Sequence, residues 1–253
     1  MQKISAALIT YNEEVNIERT LSKLLWCDEI VVIDSHSSDK TLEICKQHGA
    51  KVFSKKFEGF GEQKQFMVSK CSNDWILSID ADEVLSDELI KEIQLEFAKE
   101  KIPYDAYYLN RRHIFLGRVF NHGKLKREPI LRLFNKNKAH FNNRKVHEHV
   151  VHSGNSGHFR SLIMHYTVTS ISQMSYKKEL YATLSSEEYF SKNKSVNSLI
   201  LYLKYPFTFI KEYIFNRNFL NGYQGYVWSV TSAEGSFLKY LKLKEKQKKN
   251  KRT

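Results

Sequence analysis

Apolar and polar positions come in alternating blocks along the first hundred residues. Ile4 to Ile9 is apolar and closes in Thr10-Tyr11-Asn12-Glu13-Glu14. Ile30 to Ile33 is β-branched and closes in Asp34, before the polar turn Ser35-His36-Ser37-Ser38-Asp39. Lys51-Val52-Phe53 is a third short run, and Trp75 to Ile79 is a fourth that ends in Asp80-Ala81-Asp82-Glu83. Short apolar runs bounded by polar segments predict buried strands. Between them Asn12 is placed to cap a helix burying Ile17, Leu21, Leu24 and Leu25. Thr41 to His48 reads as a helix closed by Gly49. Gly59 and Gly61 break the chain before a helix carrying Gln63, Lys64, Phe66 and Met67. A further helix starts near Ser86 and runs to about Lys99. Strands alternating with helices predict a parallel sheet covered on both faces. Ligands of such sheets bind beyond the carboxyl ends of the strands, where three polar clusters fall.

The pattern then changes. Tyr107 to Leu109, Ile114 to Leu116, Ile130 to Phe134, His147 to Val151 and Leu162 to Tyr166 read as extended segments of a partly antiparallel second half. From Ser170 the chain reads as helical, with Met174 to about Ser191 as one helix. Val196 to about Phe215 is a second, interrupted by Lys204, Pro206, Lys211 and Glu212. Phe237 to Arg252 is an aromatic and leucine patch running into lysines. The expected fold class is α/β: a mixed, mainly parallel sheet flanked by helices, with a C-terminal helical extension.

Charge adds a second division. The 253 residues carry a formal net charge of +12, distributed unevenly. Residues 1–110 have a net charge of −7, residues 111–145 of +10 with Glu128 as their one acid, and residues 146–253 of +9. An acidic half followed by a basic half suggests a metal-handling site facing an anionic partner. Cys27, Cys45 and Cys71 form no close pair or metal spacing, which fits free thiols in a reducing compartment. The N-terminus lacks the pattern of a signal peptide, and no apolar run reaches the roughly 18 residues of a membrane span.

The candidate chemistry begins at Asp80 and Asp82. An extended backbone puts these two on one side and Glu83 on the other, where Glu83 is assigned to the cap of the following helix. Two carboxylates held that close repel unless a cation lies between them. Hard divalent cations such as Mg²⁺ and Mn²⁺ take such oxygens, often shared with substrate phosphates. In the basic stretch Arg132 has apolar flanks that suggest a fixed position, and its guanidinium suits bidentate phosphate contact with donor or acceptor. His147, His149 and His152 lack both the His-Glu-x-x-His spacing and a cysteine partner, which argues against zinc.

Three motifs in order resemble the family 2 glycosyltransferases: Leu8-Ile9-Thr10-Tyr11-Asn12-Glu13-Glu14, Val32 to Thr41 around Asp34, and Ile79-Asp80-Ala81-Asp82-Glu83. Within that superfamily Gly59-Phe60-Gly61-Glu62-Gln63-Lys64, Glu128-Pro129-Ile130-Leu131-Arg132-Leu133-Phe134, Val146-His147-Glu148 and His165-Tyr166 look like the lipopolysaccharide core glycosyltransferases. The resemblance implies a GT-A catalytic domain at residues 1–168, divided into a nucleotide-binding half at 1–105 and an acceptor-side half at 106–168. Residues 169–253 would form a helical, basic extension. It implies that Thr10, Asn12, Glu14 and Asp34 hold the base and ribose of a nucleotide-sugar, with Lys64 along the same pocket. Asp80 would approach the ribose or the metal. Asp82 would ligate a divalent cation, Mn²⁺ or Mg²⁺, and His165 matches the family's C-terminal metal ligand. The expected activity is inverting transfer of a hexose from a nucleotide-diphosphate sugar, UDP-glucose for such relatives, to a cell-envelope glycolipid such as the lipopolysaccharide inner core. The work would be done on the cytoplasmic face of the membrane.

Such chemistry needs a metal to stabilise the departing diphosphate and a base for the acceptor hydroxyl. The Glu-Asp pair that often supplies the base is missing downstream, and Glu148 is the nearest candidate. The aromatic, lysine-interrupted C-terminal helices suit an anionic membrane surface or packing on the catalytic domain, and pairing of copies through them stays open. A nucleotidyltransferase would show a Gly-rich basic loop after the first strand, which Thr10 to Glu14 is not. A phosphatase would carry its Asp-x-Asp after the first strand. A nucleic-acid-binding protein would leave three acidic strand ends repelling phosphate, so no nucleic-acid partner is expected.

Overall fold

The computed structural model of the chain describes residues 2–146 and 148–250. They form two compact units, residues 2–112 with 128–146 and 148–166, and residues 113–127 with 167–250. The helical unit thus takes in the excursion His113–Arg127 as well as the C-terminal helices.

The elements run in the order β1 (Ile4–Thr10), α1 (Ile17–Ser22), β2 (Glu29–Asp34), α2 (Thr41–Gln47), β3 (Lys51–Ser54), α3 (Phe60–Ser69), β4 (Trp75–Ser78), β5 (Glu83–Leu85), α4 (Asp87–Phe97) and β6 (Ala106–Phe115). Then come β7 (Arg118–Val119), β8 (Glu128–Asn135), β9 (Ala139–Phe141), β10 (Val150–His152), β11 (Ser156–Val168), α5 (Ile171–Ser191), α6 (Ser198–Ile210) and α7 (Gly222–Asn250). The main sheet has the order β3-β2-β1-β4-β8-β6-β11-β5, and β7 pairs with β6. β3, β2, β1 and β4 are parallel neighbours. β4 with β8, β8 with β6, and β11 with β5 are antiparallel.

β1 and β2 are buried almost throughout, which is why they read as unbroken apolar runs rather than alternations. Alternate residues still serve opposite faces. Ile4, Ala6, Leu8 and Val32 enter one core with Ile17 and Leu21 of α1 and Leu89 and Ile93 of α4. Ala7, Val31, Ile33 and Ile76 enter another with Met67 and Val68 of α3. Helices therefore cover both faces, as the block pattern requires. The second unit has its own core of Phe115, Phe120, Leu125, Val168 and Met174, with Trp228 of α7 packed against it.

Three expectations need correction, the first being Leu25, which lies beyond the end of α1 and is 59% exposed rather than buried. Asn12 is not a helix cap: α1 begins at Ile17 after Asn16. Asn12 lies at φ +51°, a left-handed conformation that Asn tolerates, and its Oδ1 accepts from Ser38 N at 2.8 Å. Glu83 is not a cap either. Ser86 caps α4 by accepting from Leu89 N at 3.2 Å. The chain turns at Ala81 and Asp82, closed by Glu83 N donating to Asp80 O at 2.9 Å, and Glu83 opens β5 with its side chain wholly buried. β9 and the first half of α7 carried no clear period and went unforeseen.

Candidate active site

β2, β1 and β4 lie side by side and parallel, so Asp34, Thr10 and Asp80 emerge at one rim. The first two clusters tie to each other. Asn12 N donates to Ser37 Oγ at 2.9 Å, Glu14 N to Asp39 Oδ2 at 3.1 Å, and Glu14 Oε2 accepts from Lys40 N at 3.0 Å. Asp34, fully buried, accepts from Ser37 N at 2.9 Å and Ser37 Oγ at 2.5 Å. Thr10 Oγ1 is buried without a hydrogen-bond partner among the described residues. Asn12 and Glu14 thus shape the loop between the strand ends, while Thr10 keeps a hydroxyl free to bond.

Lys64 reaches the rim through a close backbone approach. Phe60 N donates to Lys145 O at 3.1 Å and Gly61 N to Arg144 O at 3.0 Å. A Cβ on Gly61 would lie 2.2 Å from Asn142 O, so only glycine fits. One helical turn on, the Lys64 ammonium lies 2.9 Å from Asp80 Oδ1 and 2.7 Å from Glu148 Oε1. That contact joins α3 to the segment before β10.

Arg132 arrives by a different device. Tyr107 pairs with Leu133 but Tyr108 pairs with Leu131, so Arg132 is the extra residue of a β-bulge. Bulges re-aim side chains, and this one sends a guanidinium into the acidic rim. Arg132 contacts Asp80 and lies 2.7 Å from Glu83 Oε1. Arg111 lies 3.1 Å from Glu83 and 2.7 Å from Glu128, the residue opposite it across the sheet. The result is an unbroken sequence Glu148–Lys64–Asp80–Arg132–Glu83–Arg111–Glu128, four carboxylates against three cations. Burial alone would raise the Asp80 pKa, but Arg132 and Lys64 outweigh it and hold the carboxyl well below its ordinary range. Burial would also lower the Arg132 pKa, and Asp80 and Glu83 reverse that.

Asp82 meets His165 across the pairing of β5 with β11. Glu83 stands opposite His165 in that register, and Tyr166 N donates to Asp82 O at 2.9 Å. His165 Nε2 comes 3.3 Å from Asp82 Oδ1. From α1, Thr20 Oγ1 donates to Ala81 O at 2.8 Å, and Arg19 stacks over Tyr166 at 4.1 Å, so the turn is held from both sides. Among the described residues no three His, Cys, Asp or Glu side chains gather as a cage for a metal. A hard carboxylate oxygen and an imidazole nitrogen that converge this closely do suit Mn²⁺ or Mg²⁺ when phosphate oxygens complete the shell.

The chain matches the model of glycosyl transferase family 2 over residues 5–167. It belongs to that family. This family 2 glycosyltransferase is 34% identical over 256 residues to an uncharacterized glycosyltransferase of Rickettsia typhi, covering 97% of this chain and 88% of that one. It is 27% identical over 247 residues to the lipopolysaccharide core biosynthesis glycosyltransferase LpsC of Rhizobium meliloti, covering 95% and 91%. Among solved structures, S. aureus TarS 1–349 aligns with a TM-score of 0.48 and 14% identity, covering 98% of this chain and 92% of that one. The GT-A fold expected from the motifs stands, and the nucleotidyltransferase, phosphatase and nucleic-acid readings of the rim fall away.

The expected residues Lys64, Asp80, Arg132 and Glu148 thus form one connected group, Asp82 and His165 a second contact, and Thr10, Asn12, Glu14 and Asp34 a third cluster. Glu83, Arg111 and Glu128 were missed as members. Glu128 and Arg111 sit on flanks of recognisable stretches, but only strand register makes them partners. His147 lies outside the described residues.

Proposed function

We infer that this glycosyltransferase moves a hexose, glucose for preference, from a nucleotide-diphosphate sugar to a cell-envelope glycolipid with inversion, using a divalent cation. The observation that carries the reading is the 3.3 Å approach of Asp82 and His165 at the carboxyl rim of the parallel strands. The named activity of LpsC, in lipopolysaccharide core biosynthesis, supports a glycolipid acceptor. A glycolipid acceptor suits a peripheral enzyme at the cytoplasmic face of the membrane; no helix among the described residues is long and apolar enough to cross it.

Asp82 and His165 would hold the cation, which stabilises charge on the departing diphosphate as a Lewis acid. Thr10 and Asp34 line the place for base and ribose, with Asn12 and Glu14 fixing the loop around them. Asp80 anchors Lys64 and Arg132, whose positive charge faces the same leaving group. Arg132 Nε is buried with no partner among the described residues and so retains a donor for a phosphate oxygen. Glu148 serves as base. The acceptor oxygen attacks the anomeric carbon, its proton passes to Glu148, and the bond from sugar to phosphate breaks. Lys64, at 2.7 Å, fixes that carboxylate in place.

The test is a thermal-shift panel of UDP-, GDP- and ADP-sugars with and without Mn²⁺. One nucleotide-sugar should stabilise the protein in the presence of metal, and Asp82→Ala should abolish the shift. Glu148→Gln should keep the shift yet slow transfer by about 10²–10⁴-fold. A panel in which no nucleotide-sugar raises the melting temperature, with any metal, rules the reading out.

A further inference from the structure

The helical unit presents an apolar face that its own core does not use. α6 has one charged residue, Lys204, in its thirteen, and only Leu201 is buried. Leu199, Leu203, Phe207, Ile210 and Ile214 recur at helical spacing and are all exposed. Tyr202 is 79% exposed and Phe207 65%. The turns that follow continue the face through Phe215, 75% exposed, then Phe219 and Leu220, and α7 adds Tyr223 in its first turn. A run of exposed large apolar side chains at helical spacing marks a docking surface.

The surrounding charge says what docks. From residue 196 to 233 the charged residues are Lys204, Lys211, Glu212 and Arg217, three cations and one acid. The excursion within the same unit adds exposed Arg118, Lys124, Lys126 and Arg127. A buried asparagine staples that excursion to the aromatic turns. Asn121 N and His122 N both donate to Asn221 Oδ1 at 3.2 Å, and Asn221 Nδ2 donates to His122 O at 3.2 Å. Gly123 lies so close to Asn216 O that a Cβ would come within 1.8 Å of it. The fold thus holds a cationic loop beside an aromatic one.

We propose that this face lies on an anionic lipid bilayer, with α6 in the plane of the headgroups and the loop at Arg118–Arg127 beside them. α6 does not span: Lys204, Lys211 and Glu212 interrupt its helical run, and no helix among the described residues is long and apolar enough to cross a membrane. Aliphatic and phenylalanine side chains enter the acyl boundary, and Tyr202, Tyr205 and Tyr223 suit the interface with their polar tips. A second copy fits less well. A two-fold pairing brings the cationic surroundings against themselves, whereas anionic lipid neutralises them. The inference rests on the glycolipid-acceptor reading for its purpose and deepens it by naming the surface.

The full chain is sedimented with vesicles of phosphatidylcholine containing about 30% phosphatidylglycerol. The wild type should pellet, and added salt should release it in part. Tyr202→Ser, Phe207→Ser and Phe215→Ser together should weaken pelleting by about tenfold or more. Lys124→Glu with Lys126→Glu should weaken it on anionic vesicles only. Both variants should keep the wild-type melting temperature and its nucleotide-sugar shift. A wild type that stays in the supernatant overturns the proposal, as does a triple variant that pellets like the wild type. So does a wild-type dimer that the triple variant converts to monomer, since a second copy would then cover the face. Pelleting without any nucleotide-sugar shift overturns the proposed function and supports the docking face. The converse result sinks the docking face alone.

Discussion

The two ends of the parallel strands bury carboxylates in opposite ways. At the amino end Glu29 opens β2. Its Oε1 accepts from Ser5 Oγ and Ser72 N, both at 2.5 Å, and its Oε2 from Ser72 Oγ at 3.0 Å. One cation, Lys51, approaches at 2.8 Å and is 56% exposed. At the carboxyl end Asp80 and Glu83 are held by Lys64, Arg132 and Arg111, which are themselves buried or nearly so. The donors at Glu29 are mostly neutral groups of the local backbone and adjacent hydroxyls. Such an acid is satisfied and has nothing left to exchange. The donors at Asp80 are full charges brought from α3 and β8, with Arg111 of β6 added at Glu83, and under the proposed function a phosphorylated substrate would compete for them. Burial of an acid therefore does not mark a site; the kind and origin of its partners does.

The largest effect should come from removing a cation at the carboxyl end. Lys64 is almost fully buried; burial pulls its pKa down, but Asp80 and Glu148 outweigh that and raise it, so the ammonium stays charged. Lys64→Met should leave two carboxylates uncompensated and cost about 3–5 kcal/mol in urea unfolding. It should also abolish the nucleotide-sugar thermal shift. A loss below about 1 kcal/mol would show that the carboxyl end is as self-sufficient as Glu29.

Glu29 supplies the intermediate effect and a pH signature. Burial alone would raise its pKa, yet the hydrogen bonds from Lys51, Ser5 and Ser72 lower it from 4.5 to about 2. The folded state thus holds this proton less readily than the unfolded chain. The resulting stability is fully present above pH 4.5 and is lost as pH falls from 4.5 towards 2. A shift of that size corresponds to at most about 3 kcal/mol at neutral pH. Glu29→Gln should lose up to that much at neutral pH and show a flatter acid limb in urea unfolding. Its nucleotide-sugar shift should be unchanged. A variant that loses the shift while still folded would break the contrast between the two ends.

Much of this was legible from the chain because the parallel half folds by local rules. Ile30 to Asp34 and Trp75 to Ile79 announce strands by composition, and Ser86 caps its helix as its side chain dictates. The rim of Thr10, Asp34 and Asp80 followed from parallel alternation alone. What stayed hidden depends on antiparallel register and on turns. An extended backbone would point Glu83 away from Asp80, and the turn at Ala81 and Asp82 reverses that geometry. The apolar flanks of Arg132 mark it in the sequence, but the bulge that aims it is a property of two strands, not one. Arg111 and Glu128 face each other only once β6 and β8 pair. Asn12 looked like a cap because its chemistry serves caps and left-handed loops equally.

The smallest expected effect is the most discriminating. Lys51→Met makes the same chemical change as Lys64→Met, at the other end of the same sheet. Lys51 is half in solvent, so water already screens its attraction for Glu29, and its loss leaves Ser5 and Ser72 in place. Exposed pairs of this kind contribute about 0–1 kcal/mol. Urea unfolding at neutral pH should register no more than that, and the acid limb assigned to Glu29 should persist in weakened form. If Lys51→Met instead matched Lys64→Met, Glu29 would depend on its cation as Asp80 does. The two ends would then differ in position only, and partner chemistry would not separate a structural acid from a functional one.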